Sequence, residues 1–285
     1  MTSITSHNNP RLKELRKLQR RRERERSGRF LAEGEDLIAA AIAAGRPAVE
    51  GYRVAGTAIG GSGFEDVEES ALLSVSTLGS GTRAIGVYEQ RFIKPVGPLC
   101  VYLHGVGDPG NVGAVLRSAL AFGAACVALG PGCADPHSPK AVRASMGAIF
   151  AVGLARVRDV SELPGKRVAL VAGAGEPIWG VRDSTGSVRD SIGDVRNNRA
   201  SGLPISGIPP RARGGTAFGQ HETQALTLLV GAERDGLPAE VVEACDRVAH
   251  IPIASESLNA AMAATVALYE MTRGGRDNDD RVPAT

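Results

Sequence analysis

The chain has 285 residues, with 33 Lys and Arg against 31 Asp and Glu and a formal net charge of +2. That length suits about two ordinary domains or one large one. No apolar run reaches the roughly 20 residues of a membrane-spanning helix, and the opening MTSITSHNNP lacks an apolar signal-peptide core, so neither a membrane nor an exported protein is expected.

Charge is unevenly spread. Residues 1–30 carry ten Lys and Arg against three Glu, a local +7 that leaves −5 for the rest. A basic arm on a slightly acidic body suits a polyanionic partner, although a solvated, salt-bridged surface helix has the same composition. Asn9-Pro10 predicts a helix start, with Leu12, Leu15 and Leu18 on one face and Ser27-Gly28 as its end. A strand over 29–32, a helix over 35–44 ended by Gly45, and strands over 49–55 and 84–88 follow. Gly60–Gly63 reads as a loop. Residues 1–92 are thus expected to form a small α/β domain, joined to the rest by Lys94-Pro95-Val96-Gly97-Pro98.

The second part, 98–273, alternates strand and helix. Strands are predicted over 99–103, 125–129, 149–152, 168–171, 226–230, 241–245 and 248–251, and helices over 111–122, 139–146 and 257–272. Such alternation predicts an α/β fold with a parallel sheet. Few aromatics and 36 glycines mean that its layers must pack through small side chains. Residues 180–222 are rich in Gly, Ser, Arg, Asp and Pro and lack periodicity, which predicts a flexible insertion. Its Arg189, Arg196, Arg199, Arg211 and Arg213 offer further RNA contacts, with plain disorder as the simpler reading. Residues 274–285 read as a disordered tail. Cys100, Cys126, Cys133 and Cys245 have no metal-site or redox spacing, so reduced thiols, no bound metal and a cytoplasmic setting are expected.

Three segments follow predicted strands and carry polar residues where α/β folds collect ligands. Leu103–Ala119 reads L-H-G-V-G-D-P-G-N-V-G-A-V-L-R-S-A: a glycine loop, then a helix with Asn111 as its cap. Gly105–Gly110, G-V-G-D-P-G, has the G-x-G-x-x-G spacing, but no Walker lysine and no acidic ribose partner at the expected distance accompany it, which disfavours a nucleotide-dependent enzyme such as a dehydrogenase. Arg117 stands among Val115, Leu116, Ala119 and Leu120, either snorkelling to water or serving a site. Leu228–Pro238, L-L-V-G-A-E-R-D-G-L-P, places Glu233 in a turn, as a helix cap or as a site acid. Ile251–Ala264, I-P-I-A-S-E-S-L-N-A-A-M-A-A, opens a small-residue helix with Ser257 and Asn259, either as ordinary capping or as site residues.

In this order the three segments, with Asp135–Ala148 (D-P-H-S-P-K-A-V-R-A-S-M-G-A) between them, resemble the SpoU/TrmH family of SPOUT RNA methyltransferases over roughly residues 98–272. The N-terminal N-P-R-L-K-E-L and F-L-A-E-G-E-D-L resemble the ribosomal-protein-like substrate-binding domain that precedes many such enzymes. The resemblance implies a trefoil-knotted parallel-sheet domain, preceded by a small α/β RNA-binding domain. It implies S-adenosyl-L-methionine as methyl donor, held at Gly231, Ile251 and Leu258. It also implies a homodimer with its sites at the subunit interface, and Asn111, Arg117, Glu233, Ser257 and Asn259 as the catalytic set. Arg11, Lys13, Arg16, Lys17 and Arg20 of the basic arm are expected to hold RNA phosphates.

The expected reaction is methylation of a ribose 2'-hydroxyl, with 23S ribosomal RNA as first choice and transfer RNA second. A catalytically inactive RNA-binding protein of the same fold is the competing class. The family assigns the arginine as base, which is chemically awkward because a guanidinium holds its proton. Either Arg117 loses that proton transiently, or it orients the RNA phosphate while another group accepts the proton. Two departures from the family pattern stand out: a short spacer between Ile253 and Ser257, and the 180–222 insertion.

Overall fold

A computed structural model describes residues 3–59, 63–78, 81–184, 225–255 and 257–273. Most of the predicted insertion, its five arginines, Glu256 and the tail fall outside the described residues.

The N-terminal helix is two helices, α1 (Pro10–Lys17) and α2 (Arg21–Ser27). Asn9 caps α1 by accepting from the Arg11 N–H, as the Asn-Pro pair predicts. The chain then tightens through i→i−3 bonds at Leu18, Gln19 and Arg20. The Leu18 and Gln19 carbonyls accept from Arg24 of α2, whose guanidinium is thereby drawn inward. Arg24 is only 3% exposed, so it leaves the predicted basic arm and belongs to the interior.

Strand β1 (Arg29–Glu33), helix α3 (Glu35–Ala43), β2 (Glu50–Val54), β3 (Phe64–Val67), helix α4 (Glu69–Leu73) and β4 (Ala84–Glu89) build the first sheet. Its order is β1-β4-β2-β3, with β3 parallel to β2 and the other pairs antiparallel. The polar alternation of β3, FEDV, hides it from hydrophobic-run reasoning, and α4 is a five-residue helix too short to show a period.

The second sheet is parallel throughout. It comprises β5 (Leu99–Leu103), β6 (Cys126–Leu129), β7 (Gly153–Arg156), β8 (Lys166–Leu170), β9 (Glu176–Pro177), β10 (Leu226–Val230) and β11 (Arg247–His250), in the order β7-β6-β5-β10-β8-β11-β9. Its helices are α5 (Pro109–Ala121), α6 (Pro139–Ala144), α7 (Ala148–Ala151), α8 (Ala239–Glu243) and α9 (Ala260–Thr272). Two predicted strands are helices. Residues 149–152 fall in α7, and the strand is the following Gly153–Arg156; residues 241–245 follow a Pro238 cap into α8, with Val241 buried. Both are short apolar runs, for which composition cannot separate strand from helix.

Small residues let the layers close, as the composition requires. Gly113 inside α5 gives up about 1 kcal/mol of helix propensity, but a β-carbon there would strike the Ala141 carbonyl and Ala144 of α6. Phe30, Leu37 and Tyr88 of the first sheet region share one buried cluster with Leu116, Ile149 and Phe150. The Arg24–Asp135 ion pair, 2.7 Å, spans the same junction. Among the described residues, no helix is long and apolar enough to cross a membrane.

Candidate active site

The site forms where the strands of the parallel sheet end. Helix α5 begins two residues earlier than the sequence suggests, because Asp108 is its cap: the carboxylate accepts from Gly110 N (2.5 Å) and Asn111 N (3.1 Å), and Pro109 occupies the first turn. Lys140 of α6 holds the other Asp108 oxygen at 2.7 Å, and this bond, more than any other influence, keeps the carboxyl below its ordinary range. Asn111 is therefore freed from capping. Its side chain faces out of the first turn.

In α9 the cap is Asn259, whose Oδ1 accepts from Ala261 N at 2.9 Å and Met262 N at 3.3 Å. The helix thus starts three residues later than predicted. The two helices run parallel at a constant offset: Ser118 meets Thr265 at 2.6 Å, and the Phe122 and Tyr269 rings lie 6.3 Å apart. Both N-termini consequently reach the same place.

Glu233 occupies that place. Antiparallel bonds between Ala232 and Gly236 (3.1 and 3.0 Å) close the loop after β10 and hold the carboxylate at its tip. Gly231 permits this turn, since a β-carbon there would overlap the Gly236 backbone. Glu233 Oε1 accepts from Asn111 Nδ2 at 2.5 Å and from Asn259 Nδ2 at 2.6 Å; Asn259 Nδ2 also donates to Asn111 Oδ1 at 3.1 Å. A carboxylate shared by two amides at two helix N-termini is electrostatically favoured, because the partial positive charge of each terminus faces it.

Beside this triangle opens a cavity of about 450 Å³. Gly231, Ile251 and Leu258 all line it, as do Glu233 and Ser257. Its apolar wall comes from Val230, Leu237 and the end of β8, Leu170–Ala172. The sequence motifs do not point to the β8 residues, although the rule that ligands gather at strand ends could have found them. Arg117 does not join the cluster: it is exposed on α5 and has no hydrogen bond or ion pair among the described residues.

The basic arm divides in the same way. Arg11 pairs with Glu65, Lys17 with Glu14, and Arg16 donates to the Ser74 and His7 carbonyls and to Ser74 Oγ. Lys13 and Arg20 are exposed without such partners among the described residues.

A family model described as the SpoU rRNA Methylase family matches residues 98–269, more than half of the chain. The chain belongs to the SpoU rRNA methylase family. Residues 9–58 match a second model, an MRM3-like substrate binding domain. The SpoU fold extends to the AdoMet-bound rRNA methyltransferase of Sinorhizobium meliloti, with a TM-score of 0.72, 26% identity and coverage of 95% of this chain and 97% of that one. The 23S rRNA (guanosine(2553)-2'-O)-methyltransferase RlmP of Bacillus subtilis is 26% identical over 281 residues, 95% of this chain and 99% of that protein. The 23S rRNA (uridine(2479)-2'-O)-methyltransferase of Streptomyces viridochromogenes is 36% identical over 169 residues, 58% of this chain and 49% of that protein.

Proposed function

We propose that this chain methylates a ribose 2'-hydroxyl of 23S ribosomal RNA, with S-adenosylmethionine as donor, in the cytoplasm. The observation that carries the reading is the Asn111–Glu233–Asn259 cluster at the rim of the cavity lined by Gly231, Ile251 and Leu258. A cavity of about 450 Å³ with aliphatic walls, backbone edges and a few polar groups fits an adenosine-bearing cofactor. S-adenosylmethionine supplies a methyl group already activated by its sulfonium, so the protein has mainly to align the 2'-hydroxyl and accommodate its proton.

Glu233 uses Oε1 for both amides. Its Oε2 has no hydrogen bond among the described residues and is suited to hold a guanidinium. We assign that guanidinium to Arg117 of a second copy. Helical geometry supports this: Arg117 and Ala121 of α5 lie on the same outer side of the paired helices as Met262, Val266 and Tyr269 of α9. Those three are 63%, 37% and 49% exposed, an apolar stripe that a homodimer would cover. Arg117 then orients the RNA phosphate beside the reacting hydroxyl, and Ser257, at the cavity wall, completes the constellation. Residues 98–273 serve as the catalytic part, with the trefoil threading the family resemblance implies. Residues 1–92 dock RNA, and Lys13 and Arg20 of the arm present their charges to its phosphates.

Mapping 2'-O-methyl positions in total RNA from cells with and without the gene tests the proposal. One missing methyl group in 23S rRNA is expected. A methyl group absent from transfer RNA instead, or no change at all, would reject it.

A further inference from the structure

A second cavity, about 200 Å³, lies at the other end of the parallel sheet, where the two sheets meet. Ala125 and Gly153, at the N-terminal ends of β6 and β7, floor it, whereas the methyl-transfer site lies at the C-terminal ends of β8, β10 and β11. From strand rise and spacing the two are separated by roughly 20 Å. The volume is below the usual range of whole-cofactor pockets, about 300–1,000 Å³, and suits a fragment the size of a nucleobase.

Its lining is apolar and aromatic apart from three side chains: Arg46, Arg91 and His137. His137 is 2% exposed, and its Nδ1 has no hydrogen-bond partner among the described residues, with Asp135 Oδ1 at 3.8 Å as the neighbouring charge. A buried polar atom left in this way calls for an explanation, since it forfeits a hydrogen bond it could make in water. The ring packs against Phe30 at 4.7 Å and Phe92 at 5.4 Å between centroids. Burial, reinforced by the Arg156, Arg24 and Arg46 charges and opposed by Asp135, lowers its pKa to about 4, so it is a neutral donor and acceptor at physiological pH.

Two guanidiniums share the wall. Arg46 donates to the Glu89 carbonyl at 3.1 Å, and Arg91 lies 3.8 Å from the Glu89 carboxylate. Burial and then the neighbouring Arg91 charge lower the Arg46 pKa, while the Glu89 charge opposes them. Arginine pairs of this kind hold phosphate.

We propose that this cavity takes up one unstacked nucleoside monophosphate unit, its base against the apolar and aromatic wall of Ile93, Ile149 and Phe150 and its phosphate on Arg46 and Arg91. Apolar and aromatic walls for a π-face and two guanidiniums for a phosphate are what single-stranded RNA recognition uses. The unit comes either from the substrate RNA, as an anchor remote from the methylated ribose, or from a free mononucleotide. The RNA source rests on the function proposed above.

The test uses the full chain and two variants, Arg46→Ala/Arg91→Ala and the cavity-filling Ala151→Leu, each checked for unchanged melting and S-adenosylmethionine affinity. Uridine and adenosine 5'-monophosphates are titrated calorimetrically, and a single-stranded RNA containing 4-thiouridine is photo-crosslinked and its adducts mapped by mass spectrometry. Binding of a mononucleotide weakened about tenfold or more in the arginine variant, with crosslinks at Ile149 or Phe150, establishes the anchor. The same weakening without crosslinks in the cavity assigns it to a free mononucleotide. Mononucleotide and RNA binding unchanged in the arginine variant overturns the proposal; if Ala151→Leu is folded, unchanged binding there does so as well. Methyl transfer measured in parallel on the unaltered chain keeps this failure separate from failure of the enzymatic reading.

Discussion

Arg24 and Asp135, 111 residues apart in the chain, meet in an ion pair whose side chains are 4% and 7% exposed. Arg24 Nε and Nη2 both donate to Asp135 Oδ2, at 2.8 and 2.7 Å, while Asp135 Oδ1 accepts from the His137 N–H at 2.9 Å. With Nη1 on the Leu18 and Gln19 carbonyls, the guanidinium joins the break between α1 and α2 to the loop that leads into α6.

Removing one partner of such a pair strands the other charge in the interior. Arg24→Ala and Asp135→Ala are each expected to cost about 3–5 kcal/mol. Urea denaturation of the two single variants and the double variant checks this. The double variant should cost well below the sum of the singles; additive costs would show that the two groups do not act as a pair.

Glu233→Gln keeps the shape of the loop but replaces the charge that organises Asn111 and Asn259. Turnover is expected to fall about 100-fold or more, with S-adenosylmethionine affinity nearly unchanged. Asn259→Ser separates the two duties of that residue, because serine still caps α9 but cannot reach Glu233 and Asn111 with an amide. Its thermal midpoint should hold while turnover drops. A parallel fall in both would make Asn259 a cap alone.

Arg117 has no hydrogen bond or ion pair among the described residues of its own chain, so Arg117→Ala should fold and melt normally yet fail to turn over. Arg117→Lys distinguishes its roles. Activity that returns as pH is raised points to a base, whereas activity low at every pH points to phosphate orientation by a planar guanidinium. Normal turnover in Arg117→Ala would remove this residue from the site altogether.

In the basic arm, Lys13→Ala and Arg20→Ala should weaken RNA binding and reduce the slope of log K against log salt by roughly 0.7–0.9 for each phosphate no longer neutralised. Arg16→Ala should instead lower stability, since its guanidinium is engaged with Ser74 and His7. Filter binding across a salt series, alongside melting curves, checks the division.

His137 gives stability a predictable response to acid. Its folded pKa of about 4 lies below the ordinary 6.5, chiefly through burial, so the unfolded chain takes up the proton first as pH falls. The contribution is fully present above pH 6.5 and is lost progressively towards pH 4, by about 3 kcal/mol in all. Asp135, Arg24, Arg46 and Arg156 face the ring and shape that window. His137→Asn should flatten the loss between pH 6.5 and 4 in denaturation midpoints; an unchanged slope would assign it to other groups.

Much of the candidate site's geometry was legible in the residues. Gly231, Ile251 and Leu258 line one cavity, and Asn111, Glu233 and Asn259 share hydrogen bonds, because each stands at a strand end or a helix start that glycine, proline and capping chemistry make visible locally. Strand and helix are confused where a short apolar run, such as 149–152 or 241–245, carries no period long enough to read. Asn111 resembles a cap in the sequence for a different reason: Asp108 already caps the helix by accepting from Gly110 N and Asn111 N, so Asn111 stands inside the first turn.

The sequence by itself determined most of the alternating elements, the start of α1 and the polar residues that gather at the strand ends. Those are encoded by neighbours within one turn or one strand, where a few residues suffice. Tertiary structure alone decided which charges are free. Arg24 reads like Arg20 and Arg22 in the chain, and only a buried Asp135 in a distant loop makes it an interior ion pair. Charge is visible in a sequence, but desolvation and pairing depend on what folding brings alongside it.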